Sequence, residues 1–251
     1  MIVVKNLWKS YGSLTVLKGL DLTVNDGETV VILGRSGVGK SVLLRQILGI
    51  ELPDKGEVDV NGMHISSMNQ AQRYEAVKSM GMLFQGSALF DSMTVGENVA
   101  FYLRQHEKHL SEKEIKERVA HALKMVNLDD MESKMPSDLS GGMRKRAALA
   151  RLIIYRPKII VYDEPTTGLD PITAQHINEL INRTQEELNA TSIVVTHDIR
   201  SAIEVGDRLA FHHDGKIYKI AEKKAFLQDE DPILKEFFAN AILSEEFLRK
   251  N

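Results

Sequence analysis

The chain has 251 residues, of which 43% are hydrophobic and 27% are charged, and its net charge is -3. This length can bury a sizeable core, the charge gives no sign of a general nucleic-acid binder, and the absence of cysteine excludes disulfides and thiolate metal sites. The first residues follow a strand pattern without the layout of a signal peptide. No apolar run approaches the ~20 residues that span a bilayer, so work at a membrane would need a partner.

Short apolar runs separated by helical patterns predict an α/β core with a largely parallel sheet. Near the N-terminus, Leu20, Leu22 and Val24 share one face of a predicted strand, and a further strand leads into the turn at Asn61 and Gly62. We therefore expect an antiparallel β layer in this part of the chain. Buried parallel strands are predicted at residues 30–33, 82–84, 159–162 and 193–195.

The middle of the chain has a helical pattern. Residues 88–154 are predicted to form a helical subdomain inserted between two core strands, and capping boxes that open at Thr94 and Ser111 mark helix starts within it. We predict that residues 1–220 form the main domain, which contains this insertion. Residues 221–251 are predicted to form a C-terminal helical tail.

A complete P-loop follows the first buried strand and precedes a helix, as the motif requires. Glycines let the backbone N–H groups point at phosphate oxygens, and the helix N-terminus adds positive charge. Lys40 is the candidate to bridge the β- and γ-phosphates, and the Ser41 hydroxyl is a candidate Mg2+ ligand. A chance glycine turn is the alternative, but the strand-loop-helix context disfavours it, so we predict ATP and Mg2+ as ligands. The motif reads Gly34-Arg35-Ser36-Gly37-Val38-Gly39-Lys40-Ser41.

A second apolar strand ends in two acids, Asp163 and Glu164, which is the Walker B pattern. Asp163 at the strand tip is a candidate Mg2+ ligand, largely through water, and Glu164 is the candidate that polarises the attacking water. Alone, Glu164 could equally be a surface acid. Beside a P-loop, the pair is strong evidence for a Walker B strand, while kinases, GTPases, helicases and motors stay open as classes.

A glycine-rich segment upstream of this strand narrows the choice among P-loop proteins. Leu139-Ser140-Gly141-Gly142-Met143 resembles the signature of the ABC ATPases, whose usual form ends in glutamine. By itself it could be a glycine turn that caps a helix. The resemblance implies a P-loop NTPase (RecA-like) α/β core with an N-terminal antiparallel β layer and an inserted helical subdomain. It also implies that Ser140, Gly141 and Gly142 meet the γ-phosphate held by a second copy of the chain.

Other elements occur in the order that the ABC ATPases show. Tyr11 resembles the aromatic that stacks on adenine, with Val16 beside it, and Gln85 resembles the Q-loop glutamine that reaches Mg2+ and water. Asp170 lies in a segment similar to the D-loop, and His197 resembles the switch histidine that contacts the γ-phosphate. Each alone could be structural: a core aromatic, a loop amide or a satisfied strand-end histidine. Together and in this order they favour the family.

The remaining histidines carry no such resemblance. His212 and His213 precede Asp214 and Gly215, a predicted hairpin turn. We expect both histidines to be solvated rather than to bind metal.

A narrower resemblance covers most of the chain. The loop after Gln85, the residues on both sides of the signature and the end of the D-loop are similar to the Mce-associated ATPases, the group that includes the subunit of the Mla phospholipid transporter. One departure is the order of Gly86 and Ser87, both small residues of a turn. The segments are residues 83–101, Met135-Pro136-Ser137-Asp138, residues 144–151 and Asp170-Pro171-Ile172-Thr173.

This resemblance implies an ATPase on the cytoplasmic side of the inner membrane that powers phospholipid transport through a separate multispanning Mce-type permease. The permease is expected to dock on residues 86–93, where Leu89, Phe90 and Met93 are apolar, although these could instead pack the insertion. Mce-domain and small regulatory subunits are further expected partners, and nucleic acid is not. The alternatives are a generic importer ATPase for amino acids or metal ions, a soluble ABC protein, and a nucleotide-binding regulator without turnover.

Overall fold

The computed structural model describes residues 1–35 and 37–239. They form two compact units, one of Met1–Val77 with residues 193–239, and one of Lys78–Ser192. We call them unit 1 and unit 2. The strands form two sheets, of four and six strands, so the described fold is mixed α/β as predicted.

Strands and helices alternate along much of the chain, and residues 232–239 are helical as well. The strands are β1 (Ile2–Tyr11), β2 (Leu14–Val24), β3 (Thr29–Leu33), β4 (Lys55–Val60), β5 (Met63–His64), β6 (Met80–Leu83), β7 (Ile159–Asp163), β8 (Thr191–Thr196), β9 (Arg208–His213) and β10 (Lys216–Glu222). The helices are α1 (Lys40–Ile47), α2 (Gln70–Val77), α3 (Val95–His106), α4 (Glu112–Met125), α5 (Gly141–Ile153), α6 (Pro171–Leu188), α7 (Ile199–Val205) and α8 (Lys223–Leu227).

The four-stranded sheet of unit 1 is the predicted N-terminal antiparallel layer. Its order is β2-β1-β4-β5, and every pair in it is antiparallel. Leu20, Leu22 and Val24 are all buried on β2, which confirms that they share the core face. Asn61 and Gly62 connect β4 to β5 with φ angles of 54° and 80°, the left-handed conformation that such a tight turn needs.

In the other strands of unit 1, β9 lies between β3 and β10. It pairs parallel with β3 and antiparallel with β10. The helix of residues 232–239 packs on this part of unit 1. The Phe237 ring lies 4.8 Å from the ring of Phe211 on β9, and Leu234 is buried. Within the predicted tail, residues 221–222 end β10, residues 223–227 and 232–239 are helical, and residues 240–251 lie outside the described part.

Unit 2 pairs β6 with β7 in parallel and carries α3, α4 and α5 between them in sequence. Both predicted capping boxes are confirmed: Thr94 and Ser111 each accept a hydrogen bond from the backbone N–H three residues on, and Glu97 and Glu114 complete the boxes. The limits 1–220, 88–154 and 221–251 stay a prediction. Among the described residues, no helix is long and apolar enough to cross a membrane.

Candidate functional site

The P-loop joins β3 to α1 within unit 1. All residues of β3 are buried, so the strand leads into the loop from the core. α1 begins at Lys40, and its N-cap, Gly39, makes no side-chain capping hydrogen bond. The first N–H groups of a helix need partners from outside it, so this helix start is suited to an anion, which its dipole also attracts.

Two positions of the loop require glycine. A Cβ on residue 34 would lie 2.7 Å from the backbone oxygen of His212, and a Cβ on residue 39 would lie 2.5 Å from Cγ1 of Val16. Gly39 also has a φ of 105°, which L side chains rarely adopt. The backbone can therefore curl as a phosphate cradle requires, and Val16 packs against Gly39.

Lys40 is almost completely buried within this loop, with 5% of its surface exposed. Its Nζ donates hydrogen bonds to the backbone oxygens of Gly34 (2.7 Å) and Arg35 (3.0 Å). A buried ammonium at a helix start, enclosed by a glycine loop, fits the phosphates of a nucleotide. Ser41 is half-buried in the first turn of α1, and Ser36 lies outside the described residues.

Two loop side chains and Tyr11 lie nearer the surface of unit 1. The exposed Arg35 pairs with Glu236 at 3.1 Å, and Val38 is half-buried. Tyr11 ends β1 with 43% of its surface exposed, and its hydroxyl donates to the carboxylate of Glu51. An exposed ring held by its hydroxyl can offer a flat face to a base, so the predicted adenine contact fits this placement.

In unit 2, β7 ends at Asp163, and Glu164 follows it as predicted. Asp163 is half-buried, whereas Glu164 is 8% exposed. The Glu164 carboxylate accepts a hydrogen bond from the Thr167 hydroxyl at 2.9 Å. The backbone φ of Glu164 is 50°, which is uncommon for a residue other than glycine. Such conformations concentrate at functional sites, where surrounding contacts hold them in place.

Lys145 on α5 is a residue whose importance the motifs did not indicate. It is 4% exposed and donates to the backbone oxygens of Gln85 and Glu164. Burial lowers its pKa, and the charges of Asp163 and Glu164 oppose that shift. Lys145 therefore connects the Q-loop to the end of the Walker B strand. The only sequence signal for Lys145 is its place in the basic run after the signature, and that run supports the subfamily resemblance alone.

The segment after Gln85 is held from the core side by Asn98, which is completely buried. The Asn98 side chain accepts from the N–H of Phe90 (2.7 Å). It also donates to the backbone oxygens of Phe90 (3.1 Å), Met93 (3.0 Å) and Thr94 (3.0 Å). Gln85 itself is exposed at the start of this segment.

Arg151 on α5 holds the same segment from a second side. Its guanidinium donates to the backbone oxygens of Ala88 (2.7 Å) and Ser87 (3.1 Å), whose φ angles of 49° and 64° are both left-handed. The Phe90 ring lies 5.7 Å from the Arg151 guanidinium carbon and 4.9 Å from the ring of Phe101, yet 42% of Phe90 stays exposed. Phe90 thus both packs against the insertion and faces solvent.

The signature and the D-loop meet within unit 2. Ser140 is the N-cap of α5 and accepts from the N–H of Met143 at 3.3 Å. A Cβ on Gly142 would lie 2.4 Å from a Thr173 methyl on α6, and Gly141 is exposed. Asp170 caps α6, and its hydrogen bonds with Thr173 lower its pKa.

Two histidines of unit 1, His197 and His212, differ in solvent exposure. His197 follows β8 directly and is exposed. The expectation that His212 is solvated is wrong, because its exposed fraction is 0%. Successive strand residues point to opposite faces of a sheet, and residues 209–212 on β9 are all buried. Both faces of β9 are therefore covered up to position 212, although a turn follows two residues later. His213, the next residue, is exposed as predicted.

Comparison with known proteins gives a consistent result. The ABC transporter family profile matches residues 17–167. The chain is 42% identical over 231 residues to the intermembrane phospholipid transport system ATP-binding protein MlaF of Haemophilus influenzae, covering 92% of this chain and 87% of that protein. It is 38% identical over 236 residues to the probable ribonucleotide transport ATP-binding protein mkl of Mycobacterium tuberculosis, covering 94% of this chain and 66% of that protein.

A solved structure extends the comparison to the fold. A dimeric ATP-binding cassette in a post-hydrolysis state, bound to ADP and phosphate, superimposes with a TM-score of 0.82 at 33% identity. The match covers 89% of this chain and 99% of that one.

Fold and motifs together define an ATP-binding cassette of the ATPase type, with the P-loop NTPase architecture that the sequence predicts. The chain belongs to the ABC transporter family.

Proposed function

We propose that the chain binds MgATP, hydrolyses it as a dimer and thereby powers phospholipid transport through a separate membrane permease. The observation that carries the ATPase part is the buried Lys40, enclosed by a glycine loop at the start of α1. In this proposal Lys40 binds the β- and γ-phosphates, and Tyr11 and Val16 hold the adenine. Phosphate release from purified protein, measured with and without Mg2+, tests it directly.

The proposed catalytic residues follow the family order. Glu164 orients the attacking water, and His197 contacts the γ-phosphate. Ser41, Gln85 and Asp163 are the proposed Mg2+ ligands, consistent with the oxygen donors that this ion prefers. When bound, the ion neutralises charge on the phosphates.

A second copy of the chain is the proposed partner at the signature. Ser140 lies exposed at the N-terminus of α5, with Gly141 beside it, so this helix start can accept an anion from outside. The dimeric state of a solved cassette with this fold supports the same arrangement. We propose that the γ-phosphate bound by one chain contacts Ser140, Gly141 and Gly142 of the other, with Asp170 near the interface.

Replacing Ser140 with arginine is expected to abolish ATP-induced dimerisation, because the larger side chain fills the anion site. Light scattering of the Glu164→Gln chain, with and without MgATP, measures the shift from monomer to dimer. Ser133→Arg, at another exposed serine of unit 2, is the matched control and is expected to dimerise normally. Persistence of the ATP-dependent dimer in the Ser140→Arg variant would contradict this arrangement.

Phospholipid is the proposed cargo, moved by an Mce-type permease. The support is the similarity to a phospholipid transport protein over most of the chain, together with the segment after Gln85. The proposal places the chain at the cytoplasmic face of the inner membrane, with Mce-domain and small regulatory subunits as further partners. ATP-dependent movement of labelled phospholipid in proteoliposomes with the co-expressed permease tests it.

The proposed permease-docking surface is the segment 86–93. Asn98 and Arg151 hold its backbone in one conformation, so little ordering is required on binding. Phe90 offers an exposed aromatic ring at a fixed position, which is typical of an interface anchor.

Phe90→Asp is expected to weaken co-purification of the permease by about thirtyfold, the loss typical of an interface aromatic, while ATP affinity stays within about twofold. Tyr74→Asp, at another exposed aromatic on α2, is the control and should retain the permease. Normal co-purification and coupled transport by the Phe90→Asp variant would exclude this surface.

Transport of a different cargo is the second candidate function, and it is supported by the similarity to a relative named for ribonucleotide transport. Transporters of different cargo share the nucleotide-binding motifs, so those motifs do not distinguish phospholipid transport from transport of another cargo. Co-purification of an amino-acid, metal or nucleotide permease instead of an Mce-type one would reject the phospholipid assignment and leave the ATPase proposal intact.

A further inference from the structure

His212 lies at the base of the P-loop. β9 runs parallel to β3 with Leu33 opposite Phe211, so the next residue of β9 lies beside Gly34, where the loop begins. The His212 backbone oxygen is 2.7 Å, and its Cβ is 3.4 Å, from the position that a Cβ on residue 34 would occupy. The Cβ atom that carries the imidazole therefore lies directly beside the loop.

Burial of the His212 imidazole at this position lowers the stability of the fold. The ring has no exposed surface, and neither ring nitrogen has a hydrogen-bond partner in any other described residue. Imidazole carries a donor and an acceptor when neutral, and burial of both without partners lowers stability. Its strand neighbours Leu209, Ala210 and Phe211 are buried and apolar. A leucine would fill the site without this cost, so packing alone gives no reason for histidine.

Lys40 relates this histidine to the chemistry of the loop. Burial, followed by the charge of Lys40, lowers the pKa of His212 to about 4, so the ring is neutral near pH 7 and keeps one N–H donor. The adjacent His213 acts in the same direction, and Ile217 is the residue opposite on β10. Lys40 itself donates to the oxygens of Gly34 and Arg35.

We propose that His212 is a positioning residue of the P-loop: when Lys40 turns towards phosphate, the imidazole N–H replaces its ammonium as a donor to the loop carbonyls. Gly34 is buried, and a buried carbonyl that loses its donor is destabilising. A donor at the base of the loop offsets that loss in the nucleotide-bound state. The inference rests on the proposed function, since it assumes that Lys40 engages ATP.

His212→Leu is expected to melt at the same temperature as the unaltered chain or higher, and to bind Mg2+ with the non-hydrolysable analogue AMP-PNP about tenfold more weakly. His212→Gln, whose amide carries an N–H donor, should recover most of the affinity. His213→Leu, at the exposed neighbour, is the matched control and should bind normally. Unchanged affinity in His212→Leu, or no recovery in His212→Gln, would overturn the proposal.

The ring nitrogens provide a test that needs no substitution. In a chain labelled with 15N-histidine, one His212 nitrogen is expected to move to a hydrogen-bonded chemical shift when MgAMP-PNP is added. Unchanged His212 signals in protein that binds the analogue would overturn the positioning role alone. Failure of the unaltered chain to bind MgAMP-PNP would overturn the proposed function, and this inference with it.

Discussion

Replacing Glu164 with glutamine is expected to slow ATP hydrolysis by about a hundredfold or more, while MgATP affinity stays within about twofold. Glutamine keeps the size of the side chain and can still accept the hydrogen bond of Thr167. It loses the charge that polarises the attacking water. Because the Lys145 bond uses the backbone oxygen of residue 164, that contact also survives the substitution.

Single-turnover phosphate release and equilibrium nucleotide binding, measured on the same preparation, separate these two effects. Glu179→Gln is the matched control, since Glu179 is an exposed acid on α6 whose carboxylate accepts a hydrogen bond from Gln175, one turn earlier on the same helix. We expect its turnover to equal that of the unaltered chain. Turnover within a fewfold of normal in Glu164→Gln would remove the catalytic role assigned to this carboxylate.

Lys40→Ala is expected to weaken MgATP binding by about tenfold to a hundredfold, because hydrogen bonds to charged groups contribute roughly 1.5–3 kcal/mol. Hydrolysis at subsaturating ATP should fall at least as far. The same side chain joins the two ends of the loop by its bonds to Gly34 and Arg35, so its loss also loosens the cradle. Isothermal titration with MgATP measures the affinity.

Lys40→Arg separates these two contributions, since it keeps the charge in a longer side chain. Lys124→Ala, in the last turn of α4, is the control for removal of a cation elsewhere and should bind ATP normally. ATP affinity in Lys40→Ala equal to that of the control would show that phosphate binds elsewhere on the chain.

The sequence by itself determined the family and the local conformation of each motif. The P-loop, the capping boxes at Thr94 and Ser111, and the turn at Asn61 are set by backbone angles and hydrogen bonds that span a few residues. The residue types at those positions therefore specify them directly. The buried strands could be read in the same way, because β3 and β7 are continuous apolar runs.

Only the tertiary structure decided which residues support those motifs. Lys145 joins Gln85 to Glu164, and Asn98 holds the segment that follows Gln85, through contacts that no short pattern encodes. His212 was expected to be solvated beside its turn and proved to be buried, because both faces of β9 are covered over residues 209–212. The physical reason is that burial and buried polar contacts depend on elements far apart in sequence, whose packing fixes which side chains lose water.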